Sequence, residues 1–271
     1  MVRRPLGNHH DGPDTLLVTS DTTQTEAVTE DTEREIEELR ARMRSARVVL
    51  WDFDGPICRL FAGYSATKVA GELVDWLAVR GMRNLLTAEE RVDPDPHVVL
   101  RAVDRRHPRS DLVTAIEEHL TAEELRAVPS AMPTAWVDPV IRTWSAVGAR
   151  LAIVTNNSPV TVRQYLTGRG LHDCFAPHVY GRTTDLDRLK PDPHSLNRAL
   201  SATGADPAAS LMIGDSPSDV AAARKAGVPF LGYARNAQKE ELLRDAGAEV
   251  VVDSFAPVLR ELRRRDFTPG S

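Results

Sequence analysis

Four short stretches of the chain carry residue types that could do chemistry together. In RVVLWDFDGPICR, Asp52 and Asp54 follow an apolar run directly. Residues two apart in extended chain project to the same side, so these two carboxylates can face one point. In LAIVTNN, Thr155, Asn156 and Asn157 end a second apolar run; a hydroxyl and two amides there can hold anionic oxygens, or equally cap the helix that follows. In RLKPDPHSL, Lys190 precedes Asp192 and Pro193, which have the form of an N-cap with proline at the first helical position. An ammonium beside a helix N-terminus favours an anion. In LMIGDSPSDVAAA, Asp215 ends an apolar run and Asp219 stands one helical turn later, a spacing that lets two carboxylates converge on one hard cation.

Each stretch also has a local explanation. Asp and Gly favour turns, a lone lysine is usually solvated, and an acid in the first turn of a helix is favoured by the helix dipole. What the stretches share is position, because each acid or amide stands where an apolar run stops. The run at Val48–Trp51 is apolar enough to be buried on both faces and is bounded by a Gly-Pro turn signal, as expected of a central parallel strand. The carboxyl edge of such a sheet is where open α/β folds bind ligands.

From Val137 onward helical and strand patterns alternate, which implies βαβ units, a parallel sheet and helices on both of its faces. Between Phe61 and Pro133 the pattern is helical throughout. AGYSATKVAGELVDWLAVRG aligns Val69, Leu73 and Leu77 and ends at Gly81; DPHVVLRAVDRRH, DLVTAIEEHL and TAEELRAV follow as separate helices with no strand among them. The expected organisation is a disordered arm over residues 1–30, an α/β core from 31–60 and 134–271, and a helical insert over 61–133. A helix over EDTEREIEELRARMRSAR, with Ile36, Leu39 and Met43 on one stripe, leads into the first strand; it could dock on the core or contact a second chain, and docking is the expectation.

A net charge of −5 argues against a polyanion-binding surface, so no nucleic-acid partner is expected. Cys58 and Cys174 have neither disulfide-scaffold nor zinc spacing, and Cys58 reads as a small buried core residue beside the acidic turn. No apolar stretch is long enough to span a bilayer and no signal-peptide pattern is evident, so a cytoplasmic protein without a membrane partner is expected.

Taken in order, Asp-x-Asp, Thr, Lys and Gly-Asp-x-x-x-Asp resemble the four motifs of the haloacid dehalogenase-like (HAD) superfamily, over about Val48 to Ser254. LKPDP and GDSPSDVAAARKAG resemble its phosphoglycolate-phosphatase-type branch, and the insert resembles a C1 cap. The resemblance implies a Rossmann-like, doubly wound α/β core and a Mg²⁺-dependent phosphatase acting on a small phosphorylated metabolite. It implies that Asp52 attacks phosphorus and that Asp54 protonates the leaving alkoxide, then activates water. It further implies that Thr155 and Lys190 hold the transferring oxygens, with Phe53, Gly55 and Asn156 also at the substrate. Asp52, Asp215, Asp219 and the Asp54 carbonyl would hold the metal, Asp219 in a supporting role. An acid at 54 suits an oxygen leaving group rather than a halide. A phosphosugar mutase, passing the phosphoryl group back to substrate, and a phosphate-ester-binding regulator without turnover are the alternatives. Pro56 stands where the family usually has Thr and removes one backbone N–H from the loop. Arg59, Tyr64, Lys68 and Arg83 could reach a leaving group, but each suits a helix surface equally.

Overall fold

The computed structural model describes residues 34–264; the expected arm over 1–30 lies outside them. The chain forms two compact units, Met1–Glu37 and Glu38–Ser271. Of the first, only residues 34–37 are described, and they are helical. The second begins with α1, helical over residues 38–45, which buries Leu39 and Met43; in the first unit Ile36 is exposed.

At the centre stands β1 (Val48–Trp51), each residue of which has no solvent exposure. It pairs in parallel with β4 (Arg150–Val154) on one side and β6 (Ser210–Gly214) on the other. The six-stranded sheet runs β5 (Val179–Tyr180), β4, β1, β6, β7 (Phe230–Tyr233), β8 (Val251–Val252), all parallel. Alternation along the strands splits the core in two. Val49, Trp51, Leu151, Ile153, Leu211 and Ile213 pack with Met43, Trp144, Phe175 and Val258. Val48, Leu50, Ala152, Val154 and Met212 pack instead with Leu196, Val220 and Leu243. A sheet covered on both faces in this way needs apolar residues at every position, which is why β1 reads as a continuous run.

Helices follow the strands: α6 (Val137–Ala146) before β4, α7 (Pro159–Gly168) and α8 (His172–Phe175) before β5, and α9 (His194–Thr203) before β6. Beyond β6 come α10 (Pro217–Ala226), α11 (Ala237–Asp245) after β7, and α12 (Ala256–Leu262). Because β4 and β6 flank β1 on opposite sides, chain order reverses there and opens a crevice at the carboxyl ends of the strands.

The stretch between β2 (Cys58–Arg59) and β3 (Met132–Pro133) is helical: α2 (Ala66–Val79), α3 (Ala88–Val92), α4 (Pro96–Arg106) and α5 (Asp111–Ala127). Ser65, Thr87, Asp95 and Ser110 cap these helices, each side chain accepting a first-turn N–H. Gly81 follows the end of α2 at φ 76°, a left-handed position that suits glycine. The apolar stripes of α2, α4 and α5 make a third core around Leu73, Leu100 and Ile116.

Three expectations are corrected. DLVTAIEEHL and TAEELRAV form one helix, α5, of 17 residues; Thr121 sits inside it with Oγ1 donating to Glu117 Oε1 at 2.9 Å, and no Gly or Pro interrupts the run. The helical block does contain extended residues: Met132–Pro133 pair antiparallel with Cys58–Arg59, a ribbon too short to show a period. Asp192 is not the N-cap of α9; Pro193 is, and Asp192 Oδ1 instead accepts the His194 N–H two residues later. No helix among the described residues is long and apolar enough to cross a membrane.

Candidate active site

The carboxyl ends of β1, β4 and β6 deliver the polar groups to one place. Asp52 continues the β1 ladder, its N–H donating to the Ile213 carbonyl at 2.8 Å, so the carboxylate starts from a rigid sheet edge. The chain then turns tightly: Ile57 and Cys58 N–H both reach the Phe53 carbonyl, and Gly55 N–H reaches Cys58 O. Pro56 is not a donor in this turn, so its missing N–H breaks none of these bonds. Asp54 Oδ1 accepts the Leu60 N–H at 2.9 Å.

Gly55 has φ 117°, and a Cβ built on it would stand 2.3 Å from the Asp215 carboxyl carbon. The loop after β1 is thus pressed against the acid that follows β6. Gly214 is under the same constraint, since a Cβ there would meet the Asp219 carboxylate at 2.6 Å. Gly55→Ala is expected to strain the backbone and drive Asp215 aside, lowering stability by about 1–3 kcal/mol, read from denaturant unfolding; an unchanged midpoint would contradict this packing.

Lys190 is buried, and its ammonium has three acceptors for three N–H groups: Val154 O at 3.0 Å, Asp52 Oδ1 at 2.8 Å and Asp219 Oδ1 at 2.5 Å. Burial lowers its pKa, but the Asp219 and Asp52 charges outweigh that and leave it raised. Asn156 clasps the same segment, accepting from Lys190 N at 2.8 Å and donating to Lys190 O at 3.2 Å. Thr155 Oγ1 donates to Asn157 Oδ1 at 3.1 Å. On the far side, Asp219 Oδ2 accepts from Asp215 N, Ser216 N and Ser216 Oγ, a reciprocal cap at the start of α10.

Negative charge is in excess here. Burial, with the charges of Asp219 and Asp215, pushes Asp52 up to about 7 against the pull of Lys190. Burial pushes Asp54 to about 6, opposed by the Leu60 N–H. Asp215 is raised by burial, although Lys239 Nζ sits 2.7 Å from its Oδ2. Asp52, Asp215 and Asp219 each offer an oxygen within 4.8 Å of the others. Three carboxylates and no nitrogen or sulfur donor form a set suited to a hard divalent cation.

Above these groups lies a cavity of about 340 Å³ lined by Asp52, Asp54, Gly55, Thr155, Asn156, Lys190 and Asp215. Two predicted residues are not in its wall. Asp219 lies beneath Lys190, and the Phe53 ring turns into the core, edge-on to Tyr165 at 5.3 Å, so only the Phe53 backbone follows the loop. Of the four residues considered for the leaving group, only Arg59 lines the cavity. Tyr64 donates to Glu123 at 2.5 Å, Lys68 lies over the Tyr64 ring, and the Arg83 carbonyl takes a bond from Arg91. Cys58 is fully buried, and burial holds its thiol well above the ordinary value, as befits a core residue.

Asn157, the second amide of LAIVTNN, also lines the cavity, as do Asp95, His97, Arg235 and Lys239, which were not foreseen. Asp95 and His97 come from the start of α4, where the Asp-Pro signal marked a helix N-terminus but nothing in the sequence aimed it at β1. Lys239 arrives from α11, with no spacing that relates it to Asp215.

The structure is thus a parallel α/β sheet whose carboxyl edge gathers acids around a buried lysine, and comparison with known proteins gives the family to which it belongs. Residues 110–233 match the family model described as haloacid dehalogenase-like hydrolase. A phosphoglycolate phosphatase of Rhodospirillum rubrum is 40% identical over 116 residues, covering 41% of this chain and 45% of that one. A phosphoglycolate phosphatase of Caulobacter vibrioides is 30% identical over 215 residues, covering 71% of this chain and 87% of its own length. CbbY from Rhodobacter sphaeroides, solved with phosphate, superposes with TM-score 0.59 at 20% identity, covering 81% of this chain and all of that one, a likeness of fold. The chain belongs to the haloacid dehalogenase-like hydrolase family.

Proposed function

We propose that the chain is a Mg²⁺-dependent phosphatase that hydrolyses a small phosphate monoester through an aspartyl-phosphate on Asp52. The observation that carries the reading is the position of the Asp52 carboxylate: fixed to the sheet edge, 2.8 Å from the Lys190 ammonium, and opening on a cavity with Asp54 in its wall. Asp52, Asp215 and the Asp54 carbonyl would hold Mg²⁺, with Asp219 in support because its oxygens already meet Lys190 and the α10 cap. When bound, the ion screens the repulsion between the acids and an anionic phosphate and draws charge from the phosphoryl oxygens.

The chain's own groups then divide the work. Asp52 forms the bond to phosphorus as the ester oxygen leaves. Asp54, whose proton affinity burial has raised, gives that oxygen its proton and later takes one from the water that hydrolyses the acyl phosphate. Lys190, its N–H groups already held by Val154, Asp52 and Asp219, would act on the transferring oxygens through its charge, while Thr155 and Asn156 in the cavity wall would turn donors to them when phosphate binds. A halide leaving group would have no use for the Asp54 proton, so an oxygen ester is favoured over a haloacid. The substrate is a small phosphorylated metabolite, and the relatives' names put phosphoglycolate first among esters to try. Two free cysteines far apart in sequence support a reducing, cytoplasmic setting.

The test is phosphate release from a panel of phosphorylated metabolites with and without Mg²⁺. Metal-dependent release from at least one ester is expected, with Asp54→Asn reducing kcat by about 10²–10⁴-fold. Release that is indifferent to chelation, or an Asp54→Asn variant as fast as the parent, would contradict the assignment.

A further inference from the structure

Glu124 stands on α5 between Leu120 and Ala127, in line with the apolar stripe, and is fully buried. Its four contacts all lead into the sheet's catalytic edge. Oε1 accepts from Arg182 at 2.7 Å and from Asn157 Nδ2 at 3.2 Å; Oε2 accepts from Ser158 N at 2.9 Å and Thr161 Oγ1 at 3.2 Å. Ser158 is the N-cap of α7 yet makes no capping bond with its own side chain. The Ser158 N–H at that helix end is met instead by a carboxylate from the helical insert, which also takes the Thr161 hydroxyl.

Arg182, after β5, is buried as well and spends its N–H groups across the same boundary. Nε donates to Glu117 at 3.0 Å, the Nη atoms to Thr121 Oγ1 at 2.9 Å and to the Asn156 carbonyl at 3.1 Å. Glu117, Thr121 and Glu124 are one stripe of α5. From α4, His97 Nε2 lies 3.2 Å from that same Asn156 carbonyl, and Arg101 donates to the Lys190 carbonyl at 2.8 Å. Every segment that carries a phosphate-holding group is thus tied to the insert through its backbone.

Desolvating a carboxylate and a guanidinium is costly enough that a well-packed apolar pair often does as well for stability. What an apolar pair could not do is fix the direction of the loop's amides. We propose that Glu124 and Arg182 are positioning residues, through which the helical insert sets the conformation of the Thr155–Ser158 loop and hence the placement of the groups that hold the transferring phosphoryl oxygens. This rests on the phosphatase reading above.

The test compares Glu124→Gln with Glu117→Gln, since each removes one charged partner of Arg182, but Glu117 meets only its Nε and leaves the Nη1 bonds to Glu124 and the Asn156 carbonyl in place, and only Glu124 touches Asn157 and the α7 N-terminus. With p-nitrophenyl phosphate and Mg²⁺, Glu124→Gln is expected to lower kcat by about 10–100-fold with little change in KM, and Glu117→Gln to keep the parent kcat, while both shift the thermal midpoint alike. A folded Glu124→Gln with the kcat of Glu117→Gln overturns the inference. Should Glu124→Gln not fold, Arg182→Lys, which keeps the charge but has one shorter-reaching nitrogen where three now serve Glu117, Thr121 and the Glu124–Asn156 pair, decides by the same ratio of kcat. A parent protein that releases no phosphate from any ester removes the reading beneath the inference and the inference with it; an active parent with unaffected variants removes the inference alone.

Discussion

Asp52→Asn is expected to leave a folded protein with turnover reduced by on the order of 10⁴–10⁶-fold, the scale on which removal of an enzymatic nucleophile is felt. An amide of the same shape keeps the backbone bond to Ile213 and can still accept from Lys190, but it cannot attack phosphorus. The stability change has a defined sign in the absence of metal. The Asp52 carboxyl titrates near 7 in the folded chain against 3.8 when free. Folding is therefore opposed by its charge progressively as pH rises from 3.8 through about 7, and the asparagine variant, which never ionises, escapes that loss. Metal-free melts should show the variant as the more stable protein above neutrality and the two converging in acid. A variant that keeps turnover would refute the nucleophile, and one less stable at every pH would refute the crowding of charge around it.

Lys190→Met is expected to fail in both respects. The ammonium is the shared partner of Asp52 and Asp219, and a thioether of similar length fills the space while leaving two buried carboxylates facing each other. Breaking a buried pair from one side costs about 3–5 kcal/mol, and this residue serves two pairs. Turnover should be lost with it, because among the described residues no other side-chain cation pairs with Asp52. Denaturant unfolding checks the first claim and phosphate release the second; a variant of parental stability would mean that the buried acids are neutral without help from Lys190.

Much of this was readable along the chain because the information is local. Val48 to Trp51 read as a two-sided strand since each residue is apolar, and the acids at 52, 54 and 215 then fall at strand ends by counting alone. The loop glycines were visible as turn formers, but that Gly55 must lack a side chain to admit Asp215 is a contact across 160 residues of sequence, and no pattern states it. The false break at Thr121 has a related cause. A threonine before two glutamates looks like an N-cap, whereas here its hydroxyl turns back on Glu117 and is also used by Arg182. Glu124 left one trace that could have been followed, an acid in line with Leu120 and Ala127 on a buried stripe. Asp95, His97 and Lys239 left none, because their nearness to Asp52 depends on how the insert and α11 meet the sheet edge.

The central claim is that Asp52 carries the phosphoryl group. Rapid quenching during turnover, borohydride reduction of any acyl phosphate, and mass spectrometry of the peptides measure this directly. The account predicts reduction at Asp52 alone, dependent on substrate and Mg²⁺ and absent from Asp52→Asn. Reduction at another residue, or an untouched Asp52 while phosphate accumulates, would contradict it.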